Sequence, residues 1–340
     1  MIRVDSSDGF VRRMKGAAGE IFPPAAWCST GGDGMRSGHR KKMKLNWALY
    51  VMLLPGMAYL IFNNYIPMSF TVIAFKDYNF AKGVWGSDWV GFKNFRNLFS
   101  TRDSWLIMRN TIGYNILFIA ASLIIGIGVA LLLDELSSRK GKRYAQMVYL
   151  LPYMISITVV SYIVYAFLGT ESGVMNNGIL KALGKEAISW YSTPKYWPWI
   201  LLIVNQWKWL GYNSILYYSS IVSIDGSLYE AATIDGASRG QRIRFITIPV
   251  IRSTVITLTL LQLGSIFRSD FGLFYQVPMN SSALINVTQT LDTYIYRGIK
   301  TAGTLGMSSA ASLYQSVVGF ILVLAANLFV RKIDSESAMF

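Results

Sequence analysis

Polar side chains near the middle of an apolar segment are the first residues of this sequence that could bind a ligand. Residues 197–221 are mostly apolar but contain Asn205, Gln206, Trp207, Lys208, Trp209 and Tyr212. Hydrogen-bonding edges beside flat aromatic faces are suited to line a path for a sugar. In a helix Lys208 would lie about 16 Å along the segment. A lysine that deep in a membrane must face water or a partner, because its insertion costs about 2.5–3.5 kcal/mol. Two interpretations stay open, a solute path and an ion pair with another chain.

A second polar group, in residues 250–276, could extend the same path. Gln262 lies near the middle of this segment, and Arg268 and Asp270 lie toward its outer end. Arg268 and Asp270 could pair with each other or form an outer gate. Cations along a path would suit an anionic saccharide.

No catalytic motif accompanies these residues. A phosphate-binding loop requires Ser or Thr after a Gly-Lys pair, and neither pair, at 141–142 and 184–185, has one. The chain has a single cysteine, Cys28, and a single histidine, His39, so the sequence offers no metal cluster and no internal disulfide. We predict that the chain is not an enzyme and holds no metal and no cofactor of its own.

Composition places these polar residues in a membrane protein. The 340 residues are 53% hydrophobic and 15% charged, with a mean hydropathy of +0.37. Crossing about 30 Å of hydrocarbon takes about 20 helical residues, whose backbone groups must bond within the segment. Six segments are long and apolar enough, at roughly 46–74, 107–134, 144–168, 197–221, 250–276 and 306–330. We therefore predict an all-α polytopic membrane protein with six transmembrane helices.

Basic residues predict that both termini face the cytoplasm. They gather before the first segment, after the second, between the fourth and fifth, and after the sixth: Arg36, Arg40, Lys41, Lys42, Lys44, Arg139, Lys140, Lys142, Arg143, Arg239, Arg242, Arg244, Arg331 and Lys332. These stretches share one side if the chain begins inside. The net charge of +14 is therefore mostly a topology signal, and it gives little support to nucleic-acid binding.

The first residues of the chain differ from the rest. Residues 1–44 mix Gly, Pro and Ser without helical periodicity, and they lack an apolar run long enough for a cleaved signal peptide. We predict a disordered, basic cytoplasmic tail at 1–44. The transmembrane domain then covers 45–340.

The loops near 75–106, 169–196 and 277–305 are predicted to face outside, and tryptophans mark them. Six of the ten lie in or beside those loops: Trp85, Trp89, Trp105, Trp190, Trp197 and Trp199. They could form an aromatic belt at the membrane surface. They could also form a rim where a sugar or its binding protein docks.

Residues 230–249, EAATIDGASRGQRIRFITIP, are a polar interruption between two apolar segments. Gly236 allows a break between two short helices. Ser227 and Glu230 have the spacing of a capping box, in which the glutamate reaches back to the helix start. The arginines of this loop can reach lipid phosphates. The pattern predicts a helix–turn–helix at the membrane surface that meets a partner.

The extended pattern of this loop resembles the EAA loop of binding-protein-dependent ABC importer permeases. The matching residues are Glu230-Ala231-Ala232, Asp235-Gly236-Ala237 and Ile248-Pro249. Further stretches resemble a branch of carbohydrate permeases, among them Leu54-Pro55-Gly56, Tyr149-Leu150-Leu151-Pro152, Trp207-Lys208-Trp209-Leu210-Gly211 and Tyr294-Ile295-Tyr296-Arg297-Gly298. That branch handles oligosaccharides and polysaccharide fragments and includes alginate-type importers. The resemblance covers about 45–340.

This resemblance implies one subunit of a type I importer in the bacterial cytoplasmic (inner) membrane. The loop at 223–249 would form coupling helices that dock into a cleft of a cytoplasmic ATPase, through Glu230, Ala231, Ala232, Asp235, Gly236 and Ala237. The implied partners are a second, homologous permease in a heterodimer, two ATPase copies that bind ATP and Mg, and an extracytoplasmic solute-binding protein. The implied substrate is a saccharide, and lipids surround the subunit.

Two alternatives remain at the level of sequence. A permease of the same fold could carry another solute, such as a sugar phosphate or another small polar molecule. A secondary transporter would show acidic residues in its spans and an internal repeat. Neither feature is evident, since Asp and Glu are nearly absent from the six segments.

Overall fold

The computed structural model describes residues 47–301 and 304–333, and the predicted tail at 1–44 lies outside them. The chain divides into two compact units, Met1–Ala58 and Tyr59–Phe340. The described part of the first unit, residues 47–58, is entirely helical. All contacts described below lie within the second unit.

Helices dominate the described residues, in agreement with the predicted all-α fold. The first α-helices are α1 (Trp47–Leu60), α2 (Ile66–Ser69), α3 (Gly83–Gly86), α4 (Lys93–Ser100), α5 (Arg102–Glu135), α6 (Arg139–Met154), α7 (Ile157–Leu168) and α8 (Trp197–Val222). The later ones are α9 (Gly226–Ile234), α10 (Arg239–Arg242), α11 (Ile248–Gly264), α12 (Phe271–Tyr275), α13 (Ile285–Thr288), α14 (Leu291–Lys300) and α15 (Leu305–Ile333).

Shorter elements connect these helices. Turns of π-helix occupy Ile61–Tyr65, Met175–Leu180 and Ile243–Thr247, and 3₁₀ turns occupy Phe70–Phe75, Trp190–Ser192, Pro194–Tyr196 and Ser282–Leu284. Two short antiparallel strands, β1 (Lys76–Asp77) and β2 (Asp88–Trp89), pair Lys76 with Trp89. Lys76 is buried and donates hydrogen bonds to the carbonyls of Val84 and Trp85, which closes the hairpin.

Four helical stretches of the described chain are long and apolar enough to cross a membrane: Tyr50–Phe75, Asp103–Glu135, Arg239–Gly264 and Leu305–Lys332. A bent pair, α6 and α7, would be a fifth. Helix α8 covers the predicted fourth segment over 26 residues but is too polar for the same test. The count of six spans and the orientation of the chain therefore stay predictions.

Two predicted segments have different bounds in the structure. The segment expected at 144–168 is two helices that meet at 96°. The break follows from local signals, because Pro152 lies in the last turn of α6 and the Ser156 hydroxyl accepts a bond from Val159 N at the start of α7. The segment expected at 250–276 instead runs from Arg239 to Gly264, with the π turn joining α10 to α11.

Helix α5 is the central element of the fold, and it packs along α8 at two levels. Near one end, Tyr114 and Phe118 pack with Leu201 of α8 and Phe274 of α12. Near the other end, a buried cluster joins Ala130 to Tyr217, Ile221 and Ile251. Gly126 lets the Tyr217 ring come close, because a Cβ there would lie 3.1 Å from Tyr217 Cε2.

The two ends of α5 contact different loops. The Asn110 amide donates to the carbonyls of Asn286 and Gln289, at 3.1 and 3.0 Å. Glu135, 25 residues further along, forms an ion pair with Arg239 at 3.2 Å. Those 25 residues span about 37 Å of helix. The loop before α14 and the loop around α10 therefore lie at opposite ends of the helical bundle.

Only some of the predicted outside tryptophans are available at the surface. Trp85, Trp89, Trp105 and Trp199 are exposed. Trp197 is fully buried, and its indole N–H donates to the Trp190 carbonyl. The Trp190 indole in turn donates to Asn176 Oδ1. This pair supports the fold, so neither interpretation of the tryptophan cluster applies to it.

Candidate coupling loop and solute cavity

The first helix of the predicted coupling loop, α9, is capped by a residue that the sequence analysis did not select. The Asp225 carboxylate accepts a hydrogen bond from Ser227 N at 3.0 Å, and that bond lowers the pKa of the carboxyl. Ser227 was the predicted cap, but it lies inside α9. Glu230 is exposed and contributes to no capping box in the described chain. Asp and Ser cap helices about equally well, and in α9 the cap is Asp225, two residues before Ser227.

Asp225→Ala is expected to loosen α9, because it removes an acceptor for the first free N–H groups of the helix. Amide hydrogen exchange of residues 226–234 should rise several-fold in the purified protein. Ser227→Ala is the matched control and should leave exchange unchanged. Faster amide exchange in Ser227→Ala, together with unchanged exchange in Asp225→Ala, would favour Ser227 as the cap.

Gly236 ends α9 in a Schellman motif. Its φ is +76°, in the left-handed region that favours glycine. Gly236 N bonds to the Thr233 carbonyl at 3.1 Å, and Ala237 N bonds to the Ala232 carbonyl at 2.9 Å. The predicted hinge and the simple helix cap are thus one geometry at this residue.

A capping box is present in the loop, but it opens the second helix. Ser238 Oγ accepts from Gln241 N, and Gln241 Oε1 accepts from Ser238 N at 2.7 Å. Arg242 donates to Thr233 Oγ1 at 3.1 Å, which ties α10 back to α9. With Arg239 paired to Glu135, two of the three arginines contact protein groups, where headgroup contacts were expected.

The residues predicted to contact an ATPase separate into two faces of α9. Glu230, Ala231 and Asp235 are exposed, and beside them Ile234 is 87% exposed. Ala232 is fully buried within this chain, so it packs α9 onto its own protein, contrary to its predicted place in a partner cleft. Ala237 is half-buried. The exposed face is small and partly apolar, and its charged groups are the carboxylates of Glu230 and Asp235.

A cavity of about 300 Å³ lies between α5, α8 and the end of α11. Five of the predicted path residues line it: Asn205, Trp209, Tyr212, Gln262 and Asp270. Asp270 also caps α12 by accepting from Leu273 N at 3.1 Å. No ion pair joins Asp270 to Arg268 in the described chain, although a local pair was one predicted outcome. Arg268 is exposed outside the cavity.

Several polar residues of the cavity were missed by the sequence analysis. Asn115 and Ser122 line it from α5, and Asn213 lines it from α8, beside the predicted Trp209. A helical signal was available, because cavity residues recur at 115, 118, 119 and 122 and again at 205, 209, 212 and 213. That spacing puts each set on one helix face.

Two other predicted path residues, Gln206 and Trp207, do not line the cavity. Gln206 is buried, accepts from Ser122 Oγ at 3.2 Å and donates to the Phe118 carbonyl at 3.3 Å. It therefore joins α8 to α5. Trp207 is exposed on the opposite side of α8.

Lys208 is used inside the protein, at the break between α6 and α7. Its Nζ donates to the Ile155 carbonyl at 2.6 Å and to the Tyr153 carbonyl at 3.4 Å. A cation at a helix C-terminus satisfies free carbonyls and is favoured by the helix dipole. Neither open interpretation, a solute contact or an ion pair with another chain, is needed to account for this lysine.

The same part of α8 approaches α6 very closely. A Cβ on Gly211 would overlap the carbonyl group of Tyr149. The Tyr153 ring packs on Tyr212 at 5.1 Å and on Trp209 at 5.3 Å. Trp209 and Tyr212 are cavity residues, so the break between α6 and α7 supports one cavity wall.

Comparisons with known proteins agree with this architecture. Residues 122–335 match the family described as binding-protein-dependent transport system inner membrane component. The chain is 36% identical to Protein LplB of Bacillus subtilis (strain 168) over 291 residues, which cover 85% of this chain and 90% of that protein. It is 32% identical to the polygalacturonan/rhamnogalacturonan transport system permease protein YteP of the same strain, over 85% of this chain and 89% of that protein.

Solved structures of ABC transporters are also similar to this chain. A chain of a bacterial ABC transporter involved in the import of the acidic polysaccharide alginate superposes with a TM-score of 0.77 and 31% identity, covering 85% of this chain and 96% of that one. A bacterial alginate ABC transporter in complex with an alginate pentasaccharide-bound periplasmic protein gives 0.76 and 32%, over 84% and 95%.

Proposed function

We propose a transport function from the premise that this chain belongs to the family of binding-protein-dependent transport system inner membrane components. The chain is a multi-pass inner-membrane permease subunit of a sugar ABC importer, and it carries an oligosaccharide or a polysaccharide fragment. The relatives named for polygalacturonan/rhamnogalacturonan and alginate transport support the saccharide class. The cavity supports it independently, because it combines amide groups with the rings of Trp209 and Tyr212.

The observation that carries the mechanism is that α9 is exposed at one end of the helical bundle. Its face of Glu230, Ala231 and Ile234 is open to a partner. Ala232 and the Tyr229–Thr247 hydrogen bond of 2.8 Å hold the helix against its own chain. A partner that moves α9 therefore moves the helices behind it.

We infer the remaining assembly from the family. Two ATPase copies bind ATP and Mg, one of them docks on α9, and a second permease completes the cavity. A solute-binding protein delivers the saccharide from outside. ATP binding closes the ATPase pair, and the two permeases rock between inward-open and outward-open states.

Gly236→Val tests the coupling role in the complete transporter, reconstituted in proteoliposomes with its ATPase and binding protein. A β-branched residue is strained at φ +76°, where left-handed backbone costs about 1–2 kcal/mol. We expect ATP-driven saccharide uptake to fall by about tenfold or more, with ATPase binding weakened, since 1.4 kcal/mol is tenfold in an equilibrium.

The matched control is Gly240→Val in the same loop. A Cβ at Gly240 meets no atom within 4 Å, and its φ is not positive. Gly236→Asn is a second control, because asparagine tolerates the left-handed region. Normal uptake by the Gly236→Val transporter would contradict the proposed coupling. Uptake without ATP would indicate a secondary transporter.

A further inference from the structure

The central cavity between α5, α8 and the end of α11 has an unbalanced charge. Among its described lining residues Asp270 alone carries a formal charge, and the others have amide, hydroxyl, aromatic or aliphatic side chains. The two cations that the sequence suggested for this path are placed elsewhere. Lys208 bonds to carbonyls at the break between α6 and α7, and Arg268 is exposed outside the cavity. The described residues therefore contribute a carboxylate to the cavity and no cation that would neutralise it.

The Asp270 carboxylate is held in a fixed position by its neighbours. Its Oδ1 accepts from Leu273 N at 3.1 Å, and its backbone carbonyl accepts from Phe274 N at 3.1 Å. Leu273 and Phe274 are themselves buried. On the other side, Ser269 donates to Asp292 from its N at 2.6 Å and from its Oγ at 2.8 Å. An acceptor that is fixed in this way loses little freedom when a ligand binds, so it is preorganised.

The helix cap uses one oxygen of this carboxylate and leaves the other. Asp270 Oδ2 makes no hydrogen bond and no ion pair within the part of the chain that the structure describes. A carboxylate has about four acceptor sites on its two oxygens. Because Asp270 lines the cavity, the unused sites are available to a ligand there. The neutral amides of Asn205, Asn213 and Gln262 line the same cavity and can donate to oxygens of that ligand.

These groups fit an uncharged sugar better than an acidic one. Sugar hydroxyls donate to a carboxylate, and hydrogen bonds to an ionised acceptor are roughly twice as strong as bonds between neutral groups. The rings of Trp209 and Tyr212 offer flat faces for the apolar side of a pyranose. A uronic acid would bring its own carboxylate into the cavity, and two carboxylates that share a site repel each other.

We propose that Asp270 is a specificity-determining residue of the central cavity. Its free oxygen accepts hydroxyl hydrogens of an uncharged sugar residue, and its charge disfavours the carboxylate of a uronic acid. The proposal rests on the proposed saccharide transport and narrows the substrate class. It gives the cavity a preference opposite to the one that the sequence suggested from Lys208 and Arg268.

Binding of two trisaccharides to the complete purified transporter, without nucleotide and without the binding protein, tests this role. Galactotriose is the uncharged probe, and trigalacturonate is the acidic probe of similar size. We expect the parent to bind galactotriose at least about tenfold more tightly, which corresponds to about 1.4 kcal/mol. We also expect the difference to shrink as salt is raised, because salt screens the repulsion.

Asp270→Asn separates the ligand contact from the helix cap. Asparagine caps a helix about as well as aspartate, so the unfolding temperature should stay close to the parent's. Without the charge, we expect galactotriose affinity to fall about fivefold and trigalacturonate affinity to rise about fivefold, so the preference is lost. Asp270→Ser, which also keeps a capping side chain, should behave in the same way. Asp103→Asn removes an exposed carboxylate outside the cavity, in the first turn of α5, and should bind both probes like the parent.

Equal binding of the two probes by the parent, tighter binding of trigalacturonate, or binding of neither probe would overturn the role of Asp270. So would an unchanged preference in Asp270→Asn and Asp270→Ser. ATP-driven saccharide uptake into proteoliposomes, with the binding protein present, is measured separately for the parent. Selective binding without such uptake would contradict the transport function and leave the role of Asp270 standing. Uptake without selective binding would overturn that role and leave the transport function standing.

Discussion

Gly211→Ala is expected to prevent the permease from folding stably. A Cβ at this position would overlap the Tyr149 carbonyl group and come within 2.8 Å of Leu150 N. These are backbone atoms of α6, so α6 and α8 would have to move apart. Overpacking of this kind costs typically 1–3 kcal/mol, and we expect about 3 kcal/mol or more here because no side chain can yield.

The measurement is thermal unfolding of the purified protein, together with the yield of monodisperse material. Gly128→Ala, in α5, is the matched control, because a Cβ there meets no atom within 4 Å. That variant should be as stable as the parent or more stable, since alanine favours a helix. A Gly211→Ala protein with the parent's unfolding temperature would show that the close approach of α6 and α8 is not required.

Lys208→Met should be the next most damaging change. It removes the donor that the Tyr153 and Ile155 carbonyls share, and hydrogen bonds to charged groups are worth about 1.5–3 kcal/mol. The break between α6 and α7 would relax, and Trp209 and Tyr212 would lose a support for the cavity wall. We expect a lower unfolding temperature and a fall in saccharide uptake of about tenfold, on the scale of 1.4 kcal/mol per decade.

Lys208→Arg distinguishes this support from a contact with solute. Arginine keeps the charge and several donors, so it should restore most of the stability and uptake. A side chain that bound the solute would instead change the apparent affinity for saccharide while the unfolding temperature stayed constant. That outcome would return Lys208 to the predicted path.

Spacing within one loop was enough to predict a helix and a turn at Gly236, but not that the second helix continues to Gly264, and not the internal bonding of the loop. Gly236 at the turn followed from glycine's access to positive φ, and the structure has it at +76°. The cap was assigned to Ser227, yet Asp225 holds the helix start. Both residue types cap helices, so only the backbone conformation could decide between them. Ala232 looked like a partner contact, because burial inside the chain cannot be read from a small residue alone.

The cavity was predictable in part, for a similar reason. Polarity at membrane depth pointed to Asn205, Tyr212, Gln262 and Asp270. It also pointed to Lys208, because composition does not reveal that a neighbouring helix is broken and leaves carbonyls to be satisfied. Apolar residues flank that break on both sides, so hydropathy predicted one continuous segment. The sequence signals of the break were single residues, Pro152 near the end of α6 and Ser156 at the start of α7.

Helix α5 has a mechanical consequence. At one end, buried Ala130 packs on Ile221 and Ile251, which flank the predicted coupling loop. At the other end, the Asn110 amide donates hydrogen bonds to the loop at 286–289. A helix of 34 residues is about 51 Å long and stiff over that length. It therefore joins the predicted coupling loop to the far loop through one continuous helix. Under the proposed mechanism, a movement imposed at the loop of 223–249 would reach the loop at 286–289 through this helix, so entrance and exit need not be signalled separately.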